Sequence, residues 1–243
     1  MLDSMNTLCR VTLVAGLLWC ATISFAEPPA SQPAVNEEDS SVADPALRDE
    51  LLARREEDQA VREQLMNAIR AAREAGEKPG LATTPIILEM KRIDAANRTW
   101  LVGVLDEKGW PTRSMVGEQA ADAAWLLVQH ADDDVELQER VLVMLTEAAE
   151  QGEASRQHVA LLTDRVRINR GRPQLYGTQT RLMDGVQQIA PVEDVAGLDE
   201  RRAAVGLPTM AEYLQLMATH TGADVLPPEG YEPSASTTTQ PEE

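Results

Sequence analysis

The stretch Gly109–Asp134, GWPTRSMVGEQAADAAWLLVQHADDD, sets how the rest of the chain is read. Pro111 biases Trp110 away from helix, so Gly109–Trp110–Pro111–Thr112 reads as a turn. An alanine-rich helix follows over about Glu118 to Ala131, with Ala120, Ala123 and Leu127 on its apolar face. His130 falls on the same stripe as Ala123, Leu126 and Leu127. The small residues would let a neighbouring helix approach closely. Asp132 or Asp133 then caps the next helix, VELQERVLVMLTEAAEQ, which is amphipathic through Val141, Leu142, Leu145 and Ala149.

Working outward, Asp44–Pro45 is a helix start, with Asp as N-cap and Pro in the first turn. Leu51, Leu52, Leu65 and Ile69 carry that helix to about Ala75. Within it, Arg54, Arg55, Glu56, Glu57 and Asp58 read as a solvated face. Thr84–Pro85 repeats the start signal for a helix from Ile86 to about Glu107 that places Asp94 and Asn97 inward or at the core's edge. On the C-terminal side a helix is expected over Ala154 to Asn169, with Leu161, Asp164 and Ile168 on one face. LYGTQT and VQQIAPV, around Asp184–Gly185, read as a β-hairpin. Two last helices, over 198–205 and 209–219, are separated by Gly206–Leu207–Pro208. The fold class is therefore mainly α: a single-domain helical bundle over 44–225 with a small appended hairpin.

The flanks read differently. Arg10 precedes an apolar run, VTLVAGLLWCATISFA, that is shorter than the ~20 residues of a membrane-spanning helix. Ser24 and Ala26 at −3 and −1 make residues 1–26 a signal peptide cut before Glu27. Asp3 is unusual in such a leader and leaves Met5 as an alternative start. Leu17-Leu18-Trp19-Cys20 outlines a lipid-attachment site, but bulky Trp19 stands where a small residue belongs. Residues 27–43 are a Pro/Ser/Ala/Glu-rich linker, and 226–243 a disordered acidic tail. The expected product is exported, periplasmic or extracellular, with no stable transmembrane anchor.

Composition narrows the function. Both cysteines of the chain, Cys9 and Cys20, lie in the leader, which excludes a thiol nucleophile, a zinc ribbon and a redox dithiol. A net charge of −18 argues against nucleic-acid binding, because phosphates would be repelled. No phosphate loop, GxSxG elbow or HExxH occurs in the mature chain.

Three separate helices each set a polar group on an apolar stripe: Asp94 with Asn97, then His130, then Asp164. Burying such groups without partners costs about 1–3 kcal/mol each, so they are expected to meet each other or a ligand. His130 is read as a general acid or base oriented by Asp164 or Asp94. Two other readings stand beside it. One is a satisfied core-edge imidazole. The other is a ligand to Mn or Mg, which suit one His plus carboxylates better than structural zinc does. No metal set is assigned, and any cofactor is unknown. Asn97, Trp110, Arg165, Gln174, Tyr176 and Gln179 are the candidate ligand-binding residues, for a small-molecule or envelope ligand. Trp100 and Trp125 read as core, His158 and His220 as surface, and Arg201 with Arg202 as surface ion pairs. The rival to an acid–base enzyme is a non-catalytic envelope binding or scaffold module whose polar cluster locks the helices. Oligomeric state is open.

DAANRTWL (94–101), GWP (109–111), AAWLLVQHADDD (123–134), LTDRV (162–166), QLYGTQ (174–179) and DERRAAVGL (199–207) together resemble an uncharacterised bacterial domain family marked by GWP, QHAD and YGTQ. The resemblance runs from about Leu47 to Tyr213. It implies no particular activity, but its motifs hold many of the residues that the inward-face argument selects.

Overall fold

The structure, a computed structural model, describes residues 42–78, 80–183, 186–221 and 223–233. The residues read as signal peptide, the expected linker up to residue 41, the expected turn at Asp184–Gly185 and the expected tail from residue 234 lie outside the described residues. Mainly helical with one small sheet, the fold follows the class read from sequence. The chain divides into two compact units, one ending at Val159 and the other taking up at Ala160.

In the first unit, α1 (Pro45–Glu74) begins as its start signal predicts, with the Asp44 carboxylate accepting the Leu47 N–H at 3.0 Å. α2 (Gly80–Lys108) starts earlier than Thr84–Pro85 suggests and keeps Pro85 within its first turns. The hydroxyls of Thr83 and Thr84 both donate to the Gly80 carbonyl there. A short α3 (Arg113–Val116) that the sequence reading lacks precedes α4 (Glu118–Gln129) and α5 (Val135–Glu150). α5 is capped by Asp134, one or two residues after the expected Asp132 or Asp133, and the Asp134 side chain accepts from Leu137 N–H at 3.0 Å. α1 packs on α2 and α4, and α4 also meets α2, α3 and α5. That central place explains why α4 is buried on nearly every side, from Ala120 to Gln129 with only Asp122 partly open. Its alanines permit such crowding, since they present little bulk to four neighbours at once.

The second unit begins inside α6 (Arg156–Asn169). β1 (Thr180–Met183) pairs antiparallel with β2 (Val186–Ile189), Met183 opposite Val186. The expected hairpin is present and is extended to three strands, but its first strand is Thr180–Met183, and the LYGTQT run read as extended is loop up to Gln179. β3 (Val225–Leu226) joins β2 in parallel. α7 (Leu198–Ala204) and α8 (Met210–Thr221) complete the unit around Leu162, Ile189, Leu198, Met210 and Met217. The stretch read as tail supplies Leu226 to β3 and the Tyr231 hydroxyl to Asp199, at 2.9 Å. No helix among the described residues is long and apolar enough to cross a membrane.

Candidate functional site

The first polar site grows from a fault in the α1 stripe. Leu51, Asp58, Leu65 and Ala72 recur every seven residues and are all buried, so one carboxylate occupies a core position between leucines. The sequence reading put Asp58 on a solvated face, and the structure corrects this: Asp58 is 0% exposed. A carboxylate there needs partners, and it has three. His130 Nδ1 stands 2.9 Å from Asp58 Oδ1, Arg62 Nη1 donates to the same oxygen at 2.7 Å, and Gln59 donates to Oδ2 at 2.9 Å. Burial pushes the Asp58 carboxyl up, but His130, Arg62 and Gln59 outweigh it and hold the group below its ordinary value. Being ionised, Asp58 accepts, so His130 Nδ1 carries the proton between them.

α2 and α4 complete the cluster. Arg62 reaches across to Asp94 Oδ1 at 2.8 Å, one guanidinium spanning two carboxylates. Asp94 is only half-buried, and burial raises its carboxyl despite Arg62. One turn along α2, Asn97 accepts from Arg54 Nη1 at 3.0 Å, and the Arg54 guanidinium lies 4.3 Å over the Trp100 ring. His130 is the C-cap of α4. Its Nδ1 is fixed, while its Nε2 is buried and has no hydrogen-bond partner among the described residues. The Nδ2 of Asn97 and the indole Nε1 of Trp110 share that condition. Trp110, read as a ligand-facing turn residue, is 5% exposed.

Asp58, Asp94 and His130 offer two oxygens and one nitrogen within 4.8 Å of one another, a donor set that could hold a divalent cation. Arg62 already lies between the two carboxylates and supplies the positive charge there, so an ion would have to displace it.

The second unit has its own polar centre. Asp164, 0% exposed, accepts from Leu175 N–H at 2.7 Å, Tyr176 N–H at 3.0 Å, Thr178 N–H at 2.9 Å and the Thr178 hydroxyl at 3.0 Å. The loop can wrap a carboxylate so closely because Gly177 takes φ +66°, a conformation that disfavours side chains. Gln174 behaves like a strand turned sideways. Its amide donates to Gln179 and Ala190 carbonyls at 2.9 Å each and accepts the Gln179 N–H at 2.6 Å. Arg202, read as a surface residue, is fully buried; it donates to Tyr176 and Pro208 carbonyls at 2.6 Å and lies 4.8 Å over the Tyr213 ring. Arg201 alone keeps the expected surface pairing, to Asp194 at 2.8 Å.

Of the residues singled out from sequence, His130, Asp94 and Asn97 thus gather around Asp58, Arg62 and Arg54. The carboxylate that orients His130 is Asp58, in place of the expected Asp94 or Asp164. Asp164, Gln174, Tyr176 and Gln179 belong to the loop of the second unit, and Arg165 is buried on α6 beside Asp164. His158, expected at the surface, stacks on Trp125 with ring centroids 3.8 Å apart. Asp58 and Arg62 were not singled out from sequence; the seven-residue spacing of Asp58 with Leu51 and Leu65 was the signal for the first, and Arg62, one turn on, follows as its i+4 partner.

Residues 45–226 match the family of unknown function DUF6624, and the chain belongs to it. No curated protein and no solved structure matches the chain.

Proposed function

We propose that this DUF6624 member is an exported acid–base enzyme, a hydrolase or group transferase, in which His130 is the proton-transferring group. The carrying observation is the asymmetry of its ring: Nδ1 is bonded to a buried, ionised Asp58, and Nε2 is buried with no partner. In its neutral form the imidazole, with its Nδ1 proton held by Asp58, presents a lone pair at Nε2. That atom takes a proton from water, or from an acceptor hydroxyl, as its oxygen attacks the substrate. Asp58 stabilises the imidazolium that forms, and the proton then passes to the leaving group. Asp94, raised by burial and half-open, is the second group able to give a proton. Arg62 keeps the two carboxylates apart in function by bonding both. Asp164 serves here as the anchor of the loop carrying Tyr176. The leader, Arg10 to Ala26, supports export.

A second reading rests on a specific observation as well. Asp58 is wholly enclosed and ties α1 to α4, as a polar lock between helices would be. His130→Asn separates the two. Asparagine can keep an N–H near the Nδ1 position for Asp58 while removing Nε2. A panel of ester, amide, phosphoester and glycoside substrates is offered to both proteins. Turnover lost by about 10²–10⁴-fold in a variant that melts near wild type supports catalysis. Turnover unchanged in the variant, or absent in both proteins, assigns the cluster to holding the helices.

A further inference from the structure

Apart from the His130 cluster, the second unit carries a cavity that neither the acid–base reading nor the Asp164 loop uses. It measures about 190 Å³ and is lined by Arg181, Ile189, Pro191, Val192 and Glu229. That is too small for a dinucleotide or a sugar chain. Its walls are of three kinds. Arg181, on β1, brings a guanidinium whose Nε is buried and has no hydrogen-bond partner among the described residues. Glu229, following β3, brings an exposed carboxylate. Ile189, Pro191 and Val192 form an apolar side.

The two charges line one small space, yet neither is ion-paired with the other or with any other described residue. Opposite charges that share a cavity would ordinarily collapse onto each other unless the backbone holds them apart. Here Arg181 is fixed on a paired strand opposite Gln188, and Glu229 lies on the segment beyond β3. The guanidinium is the cation of this space, and a carboxylate is the partner whose two oxygens fit its fork. An ammonium group completes the complement at Glu229.

We propose that this cavity binds a free aliphatic α-amino acid. Its carboxylate meets Arg181, its ammonium meets Glu229, and its side chain lies against Ile189, Pro191 and Val192. Both ligand charges and the apolar wall are needed, which sets a zwitterion apart from a simple anion or amine. A dipeptide carries the same end groups farther apart and tests the spacing.

The experiment is calorimetric titration of the full chain with leucine, 4-methylpentanoate, isopentylamine and leucyl-leucine, followed for wild type, Arg181→Gln, Glu229→Gln and a cavity-filling Val192→Trp. Leucine is expected to bind saturably, and each single-charge analogue at least tenfold more weakly. Arg181→Gln should bind leucine no better than wild type binds isopentylamine, and Glu229→Gln no better than wild type binds 4-methylpentanoate. Val192→Trp, which keeps both charges, should not bind. Melting curves show which variants are folded, and the wild-type analogue series stands even if one is not. Absence of saturable leucine binding overturns the proposal, as does equal binding by all three folded variants. Tighter binding of leucyl-leucine than of leucine overturns it in favour of a peptide end.

Discussion

Asp164→Asn tests how the second unit is held. The substitution keeps shape and removes charge, so only hydrogen bonding and desolvation change. In the wild type one oxygen takes the Leu175 and Tyr176 N–H groups, and the other takes the N–H and hydroxyl of Thr178. An asparagine has one acceptor oxygen. If it faces Leu175 and Tyr176, its NH₂ points at the Thr178 N–H, and the Thr178 hydroxyl can rotate to accept while the N–H cannot. One buried donor is then orphaned at about 1–3 kcal/mol, and the bonds that remain fall from charge-assisted to neutral. Burial pushes the Asp164 carboxyl up, so a neutral side chain recovers part of the loss by escaping the desolvation of a charge. The net expectation is about 2–4 kcal/mol of destabilisation. At roughly 2–4 °C per kcal/mol for a chain of this size, the melting temperature should fall by about 5–15 °C. Urea unfolding gives the free energy, and amide exchange at Leu175, Tyr176 and Thr178 locates it. A variant within about 0.5 kcal/mol of wild type, with those amides still protected, would refute the reasoning. It would return Asp164 to the role of a poised carboxylate that costs stability.

Gly177→Ala should lower stability by about 1–2 kcal/mol from its positive φ, and a little more because the new Cβ would lie 2.6 Å from the Met210 methyl, which has to move; urea unfolding reads it. Asp122 and His158 should pull stability in opposite directions as pH changes. Burial, then Glu118, raises Asp122 to about 6, so the folded state holds that proton more tightly and stability falls as pH rises from 3.8 through 6. Burial, then Arg113, lowers His158 to about 4, so stability falls as pH drops from 6.5 through 4. Relative to wild type, Asp122→Asn should gain stability as pH climbs through this window and His158→Phe should gain as it descends; parallel pH profiles would contradict both. Their 3.7 Å approach contributes little as an ion pair, since His158 is neutral wherever Asp122 is charged. If the leader is processed as expected, intact-mass measurement of protein from the exported fraction will place the new N-terminus at Glu27.

Much of the helical frame is legible because its signals are local. Asp44–Pro45 caps the helix it precedes, the Asp132–Asp134 run announces the next start but not which of its residues is the cap, and the alanines of α4 announce a crowded helix. The hairpin follows from apolar runs on either side of Asp-Gly. Asp58 was obscured by its neighbours: Arg54, Arg55, Glu56 and Glu57 make a charge run that looks solvated throughout, and only the spacing to Leu51 and Leu65 separates the buried member. Arg202 was hidden in the same way beside Arg201, on a helix of seven residues too short to display a period. Asp164 was recognised as inward, but its partners are backbone N–H groups, which no side-chain pattern advertises. The nearest hint was Gly177 within Tyr176–Gly177–Thr178. His158 depends on stacking with Trp125, a contact between distant segments that neither residue's own surroundings betray.

The central claim is that His130 Nε2 transfers a proton in a reaction. The most direct test compares turnover by wild type and His130→Asn on the hydrolase and transferase panel, with both proteins shown to be folded. The account predicts a wild-type activity reduced about 10²–10⁴-fold by the substitution while melting stays close to wild type. Activity retained within a few-fold, or a wild type that turns over nothing while His130→Asn and Asp58→Asn melt many degrees lower, would contradict it and leave Asp58, Arg62, Asp94 and His130 as the bolt that holds α1, α2 and α4 together.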